Sequence, residues 1–404
     1  MAHNKQLLLY FCAFGLIGAA LGVQESIFNN FLDDTFAITA TGRGGLEFPR
    51  ELPGLLVVVM AGVLCMLPIT HLGIVGTLTY AGGLAGLALF GGGWWPMVGM
   101  MMLASAGMHL LQPVGHTIVL ALSDESKRGR RMGEAGAVRT IGTVAGTAGV
   151  WLLLDDAAPQ YRMAFLVAAV LGLGACGIYT IMHIPHLHQP RARLVVRRRF
   201  SLYYMLEFLF GARKQIFITF GPWVLIQVYK LKAPDIAALL MTGAVIGIVF
   251  RPLAGRAIDR FGERAVMVAD GLILAVVCLG YGYAAALAPT PRVALALAGT
   301  CFVLDNLLFA FGTARSVYLA RMADGPQELA SSLSMGISIN HIASMTLPFV
   351  AGKIWEGLGY ERVFLAAAVL AVFISLVSWR VPGRKTPEPA HPPVPTPEAE
   401  PVPD

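Results

Sequence analysis

Three observations predict an all-α polytopic membrane protein with twelve transmembrane helices in two parallel six-helix halves. First, only 13% of the 404 residues are charged while 56% are hydrophobic, against roughly a quarter charged in soluble domains. So few charges cannot cover a water-soluble surface of this size, which excludes a soluble enzyme, a nucleic-acid-binding domain and a secreted disulfide scaffold. Second, apolar runs near the length of about 20 residues that crosses a bilayer recur along the whole chain. Third, the chain repeats itself: YRMAFLVAAVL from Tyr161 and YERVFLAAAVL from Tyr360 share Tyr-x-x-x-Phe-Leu-x-Ala-Ala-Val-Leu. Each copy opens the last helix of a six-helix set. An even number of helices inserts both sets with the same orientation, as in parallel repeats about an axis along the membrane normal.

Apolar runs separated by Gly, Pro and polar turn residues place the helices near 6–30, 52–70, 73–91, 95–122, 134–154, 162–183, 200–228, 235–254, 265–287, 292–320, 328–354 and 361–380. Several exceed the minimum span and are expected to tilt or to extend beyond the lipid. Residues 1–183 form the N-terminal half and 200–382 the C-terminal half. Between them, 184–199 is a short basic loop containing HLHQPRARLVVRRR. From 383 to 404 the chain is rich in Pro and Glu, cannot bury enough apolar surface to fold, and reads as a disordered tail.

The net charge of +6 reports topology. With both termini cytoplasmic, the basic clusters at Lys127–Arg131, Arg191–Arg199 and Arg251–Arg264 all fall inside, as the positive-inside rule requires. The first apolar segment runs on past Gly22 and is read as a retained helix, not a cleaved signal peptide. The five cysteines, Cys12, Cys65, Cys176, Cys278 and Cys301, lie in apolar stretches without paired spacing and are expected to be buried thiols. No metal or cofactor is expected: His183, His186 and His188 flank Pro185 at a helix exit, a poor frame for a metal.

One loop carries a family signature. GRAIDRFGERA, from Gly255, resembles the G-x-x-x-D-R-x-G-R/K-R/K motif of the major facilitator superfamily of secondary transporters, with Gly255, Asp259, Arg260, Gly262 and Arg264 matching and Glu263 standing where a base is expected. Two six-helix halves joined by a basic loop fit the same family. The resemblance implies a carrier in which this loop latches one side. Its glycines permit a tight turn and close helix approach. The family's first copy of the motif is reduced to Gly73 in LPITHLG. The fifth helix has Gly142, Gly146 and Gly149 but lacks the proline of the drug antiporters, a pattern that suits close helix packing.

Polar residues inside an apolar bundle face a cavity or one another, because an unpaired charge there costs several kcal/mol. His109 on the fourth helix, Arg213 and Lys214 on the seventh, Asp305 and Asn306 on the tenth, and Asn340 and His341 on the eleventh fall at one depth, with Gln24 and Glu25 on the first a turn further out. The resemblance implies that helices 1, 4, 7 and 10 line the central path. His109, Gln112 and His116, spaced i, i+3, i+7, share a helical face and suggest a cavity wall. Arg213 and Lys214 are read as substrate contacts, an Arg being suited to gripping a carboxylate; the alternatives are ion pairs of Arg213 with Asp305 or of Lys214 with Glu207. Substrate binding is assigned to His109, Gln112, Arg213, Lys214, Asn306 and Asn340, and proton coupling to Glu25 and Asp305, because burial and neighbours tune carboxyl groups. Arg139 either snorkels to the interface or gates, and Glu47, Arg50 and Glu51 are a solvated helix start or an outer gate.

The expected function is secondary active transport of a small organic anion, coupled to protons, by a monomer in a bacterial inner membrane. Its partners are the substrate, protons and lipid, with no nucleic acid. An exporter of amphipathic compounds and a transporter-like sensor are the alternatives; no nucleophile–base pair supports an enzyme.

Overall fold

The computed structural model describes residues 2–64, 67–124, 127–155, 159–184, 187 and 196–383. Most of the basic loop between the halves, Cys65, His186, His188 and the tail beyond 383 lie outside them. Each predicted segment falls on helix. In order these are α1 (Ala2–Phe36), the short α2 (Ala40–Gly45), α3 (Glu47–Leu64), α4 (Ile69–Phe90), α5 (Trp94–Ala121), α6 (Arg128–Leu153), α7 (Tyr161–Ile181), α8 (Ser201–Gln227), α9 (Ala233–Gly282), α10 (Ala284–Leu287), α11 (Pro291–Leu308), α12 (Thr313–Met322), α13 (Pro326–Leu358) and α14 (Tyr360–Ser378). Among the described residues, eight helices are long and apolar enough to cross a membrane. Helices α3, α6 and α8 are not among them; they carry Glu47, Arg50 and Glu51, Arg139, and Glu207, Arg213 and Lys214, polar groups that other helices or cavities accept.

Among the boundaries that differ from the sequence reading, three have a clear local reason. α3 starts at Glu47 rather than 52, because its first-turn charges are paired and buried instead of solvated. It ends at Leu64, and α4 begins at Ile69 directly after Pro68, which cannot continue a helix from below. The third difference is at the family motif. Residues 255–261, expected to be loop, continue α9, and the chain leaves the helix only at Gly262 (φ 80°, ψ 162°). That backbone region is essentially reserved for glycine, so one residue makes the whole turn between the two segments merged in α9.

The apolar cores show how the halves meet. Toward the end bearing the N-terminus there are two separate cores. One is built on Tyr10, Ile17, Leu111, Ile118 and Tyr179, the other on Phe200, Tyr203, Ile258, Met267 and Tyr318. Toward the opposite end a single core joins residues of both halves, among them Phe28, Leu84 and Phe165 with Phe220, Trp223 and Phe364. The halves are therefore fused at one end and parted at the other.

Within the N-terminal half, α1 and α6 touch backbone to backbone. A Cβ on Gly142 would sit 2.1 Å from the Gly15 carbonyl oxygen, and one on Gly146 would sit 2.1 Å from that of Ala19. Gly18 and Gly22 answer from α1, approaching the carbonyl oxygens of Arg139 and Thr143. Gly149, grouped with them by sequence, has open space around it. Gly146→Val is expected to force the helices apart and cost about 1–3 kcal/mol, read as a lower melting temperature in detergent, while Gly149→Val leaves that temperature unchanged.

Candidate functional site

Two connected cavities lie between the halves on the parted side. The outer one, nearer the N-terminal end, is about 560 Å³ and is lined by α1, α5, α6 and α9. The deeper one is about 460 Å³ and adds α3, α8 and α11. They share Leu21, Thr143 and Arg251. Gln112 and His116 line the outer cavity with Arg139, so two of the three stripe residues on α5 are on a cavity wall. Glu25, Lys214 and Asn306 line the deeper one with Arg50, Thr147 and Arg251.

Lys214 Nζ donates to Asn340 Oδ1 (3.2 Å), and Asn340 in turn faces Glu207, which is held by Arg315 Nε at 2.9 Å. Glu207 therefore belongs to Arg315, not to Lys214. Arg251 donates to Thr140 Oγ1 (3.1 Å). Arg139 lies over the Phe14 ring at 5.4 Å from its centroid and lines the outer cavity. Among the described residues, Lys214, Arg139 and Arg251 thus lack an ion-pair partner. Arg50 is different, with Nε 2.8 Å from Glu47 and NH2 3.6 Å from Glu51.

Arg213 is not on this cavity. Its guanidinium, 3% exposed, is enclosed within the C-terminal half, with NH2 3.6 Å from Asp305 Oδ1 and 3.7 Å from Asp270 Oδ1. Phe309 covers it at 4.9 Å. The structure thus brings Arg213 and Asp305 together as the ion-pair alternative had it, separates both from Lys214 and Asn306, and adds Asp270. His109 also stands away from the lining: its ring meets that of His341 edge-on, with centroids 5.0 Å apart.

The deep end of the site is sealed by a polar network that crosses the halves. Glu47, fully buried, accepts from Arg43 (2.6 Å) and Arg50 (2.8 Å) on its own half and from Gln215 Nε2 of α8 (2.7 Å). Arg43 Nε also donates to Asn29 Oδ1 (2.8 Å). Beside it, His341 Nδ1 of α13 lies 2.9 Å from Glu51 Oε2. A side chain at Gly44 would strike the Pro348 carbonyl, so α2 itself is clamped on α13. The segment Gly42–Leu52 is the seal, where a solvated helix start was the default reading.

At the other end, the motif residues Gly255, Asp259 and Arg260 close the first segment of α9 and Gly262 turns it. Arg264 stacks over Trp379 at 5.5 Å. Glu263, the departure from the family pattern, is buried and pairs with Arg321 at 3.1 Å. A local substitution is thus matched by a base on α12. Nearby, Arg197 pairs with Glu328 (2.9 Å) and Arg199 with Asp324 (2.6 Å), which ties the end of the basic segment to the start of α13.

Sequence reasoning missed Arg50 and Arg251 as lining residues, having put Arg50 in an outside loop and counted Arg251, at the end of the helix over 235–254, among the cytoplasmic bases. The available signal was that Arg251 follows seventeen positions of nearly uninterrupted apolar helix from Pro234 and so sits within it. Glu51, His109 and His341 bring three potential metal-ligating atoms to within 4.8 Å of one another.

The family model of the Major Facilitator Superfamily matches residues 52–313. No protein of curated function matches in sequence. Solved structures share the fold at low identity. A point mutant of the nucleoside transporter NupG superposes with a TM-score of 0.73 at 16% identity, covering 94% of this chain and 99% of that one. A bacterial homolog of the human lysosomal transporter Spinster, inward-facing and unoccupied, gives 0.74 at 13%, covering 94% and 96%. The D-xylose–proton symporter gives 0.72 at 15%, covering 94% and 98%.

Proposed function

Because the chain belongs to the Major Facilitator Superfamily, we propose that it is a secondary active transporter of a small organic anion, driven by protons and working by alternating access. One observation carries the substrate sign. Glu25 is the one carboxylate among the residues lining the two cavities, against Arg139, Lys214 and Arg251, which lack ion-pair partners there, and Arg50. Glu47, Glu51 and Glu207, the carboxylates nearest Lys214, are engaged by other groups. Arg251 is exposed to the cavities and Arg139 and Lys214 are half-buried; cations held within a membrane bundle without counter-charges are costly, and an anionic substrate supplies what is missing. Arg offers a two-point grip on a carboxylate and Lys a point charge. A nucleoside or a sugar, the cargo named for two of the structural neighbours, calls for no such excess of positive charge.

Proton coupling has two candidate seats. Glu25 shares the deeper cavity with Lys214, so a proton there and an anion beside it neutralise one another. Asp305 and Asp270 face a single Arg213, and full ionisation would bury a net negative charge that one proton removes. With the termini cytoplasmic, in a bacterial inner membrane, the parted side faces inward and the seal faces out. The protein acts as a monomer, with 1–183 and 200–382 as its rocking halves, 184–199 as their link and 383–404 as a tail.

Proteoliposomes with an imposed pH gradient test this, using a panel of small carboxylates, inorganic anions, amino acids, sugars and nucleosides. One class of anion is expected to collapse the gradient. Lys214→Gln or Arg251→Gln should weaken apparent substrate affinity by about 10- to 100-fold, the loss of one charge-assisted contact. Uptake of a neutral or cationic substrate that survives both substitutions would sink the proposal.

A further inference from the structure

Glu51, His109 and His341 are brought to one point by α3 and α5 of the N-terminal half and α13 of the C-terminal half, at the sealed end. We infer that they form a binding site for a divalent transition-metal ion of the zinc type, complete only while the halves are closed there.

The donor set and its orientation fit. His109 Nδ1 lies 2.9 Å from the Ser105 carbonyl oxygen. A carbonyl can only accept, so Nδ1 carries the hydrogen and the Nε2 lone pair is left free. An imidazole held by a carbonyl at one nitrogen and open at the other is the arrangement metal-ligating histidines take. His341 Nδ1 shares a hydrogen with Glu51 Oε2 at 2.9 Å. A metal between these two atoms replaces that hydrogen, which moves to Nε2 of the same ring. Gly54, one turn after Glu51, leaves the floor of the site open: a Cβ there would sit 2.5 Å from His109 Nε2 and 2.4 Å from His341 Cε1. The ligand atoms lie within 4.8 Å of one another. A tetrahedral ion with bonds of about 2.0–2.1 Å holds its ligands about 3.4 Å apart, so side-chain rotations of about an ångström complete the set. Two imidazoles and a carboxylate suit Zn²⁺, Co²⁺ or Ni²⁺ and not the all-oxygen shells of Mg²⁺ or Ca²⁺.

Two cations stand near. Arg50 is 3.6 Å from Glu51 but is drawn more closely to Glu47 at 2.8 Å. Lys214, bonded to Asn340, also acts on Glu51 and opposes an incoming dication. This gives the site a signature of two opposite signs: losing a histidine removes binding, and losing Lys214 strengthens it.

The test uses the full chain purified without a polyhistidine tag and titrated with Zn²⁺, reading melting temperature and calorimetric binding. The wild type is expected to bind one ion and melt higher. His109→Gln and His341→Gln should each abolish both effects, and Lys214→Gln should tighten binding at least about tenfold, the removal of one repelling charge. Should the histidine variants fail to fold, X-ray absorption at the zinc edge of the wild type must show two imidazole ligands and a carboxylate. No Zn²⁺ response in the wild type overturns the site. So does a response kept in His109→Gln and His341→Gln but lost with His183→Asn, His186→Asn and His188→Asn together. None of these readings depends on the transported substrate.

Discussion

Arg213→Gln is expected to destabilise the protein by about 3–5 kcal/mol, the cost of stranding one side of a buried ion pair, while Lys214→Gln, one position along, is expected to cripple uptake and leave the fold intact. The two side chains leave α8 toward different surroundings. Arg213 lies between Asp270 of α9 and Asp305 of α11 with aromatic rings over it, and it lines neither of the two cavities between the halves. Removing its charge leaves two carboxylates buried against each other. Because these carboxylates belong to α9 and α11, the damage spreads through the packing of the C-terminal half. The measurement is the melting temperature and monodispersity of each variant in detergent, set beside uptake in proteoliposomes. Asp305→Asn added to Arg213→Gln should recover part of the lost stability by removing one stranded charge. A well-folded Arg213→Gln protein with wild-type melting and no uptake would return Arg213 to the substrate site.

That contrast also marks how far the sequence alone reaches. Hydropathy located the long helices, because a bilayer demands long apolar runs and the chain supplies them, but not the short α2. It failed at Glu47–Leu52, since a run of charges reads as solvated unless its partners are known, and those partners include Gln215, 168 positions away. The same limit hid the meeting of Glu51 with His341 across 290 positions. Depth along a helix put Lys214, Asn306 and Asn340 in one layer with Glu25 a turn further out; in the structure Glu25, Lys214 and Asn306 line the deeper cavity and Asn340 bonds Lys214. Which way a side chain leaves its helix was not legible, so Arg213 and Lys214 were indistinguishable. Arg251 was hidden for another reason: the positive-inside rule gives a base near a helix end an adequate explanation before a cavity is considered. At the family motif, the mismatch at Glu263 was visible, but its answer, Arg321 on α12, was not.

Glu47→Gln is expected to open the sealed end. Glu47 is the hub of the network, accepting from Arg43, Arg50 and Gln215 at once. Only the bond from Gln215 crosses between the halves, yet it depends on the other two, because Arg43 and Arg50 fix the carboxylate where Gln215 can reach it. A neutral amide keeps the size of the side chain and loses the charge that draws the two guanidiniums. Each hydrogen bond to a charged group is worth about 1.5–3 kcal/mol, enough to shift a two-state balance of sealed and open forms by about 10- to 100-fold. Thr219, fully buried on α8 one turn beyond Gln215 and 3.4 Å from it, reports the change. In a protein stripped of its native cysteines, Thr219→Cys should resist a membrane-impermeant maleimide applied from the sealed side, and adding Glu47→Gln should raise its labelling rate at least about tenfold. Gln215→Ala should raise it less, since Arg43 and Arg50 remain neutralised and only the bridge is gone. Unchanged labelling together with a lower melting temperature would make the network a structural clamp and leave the apolar core shared by the two halves as what holds this end shut.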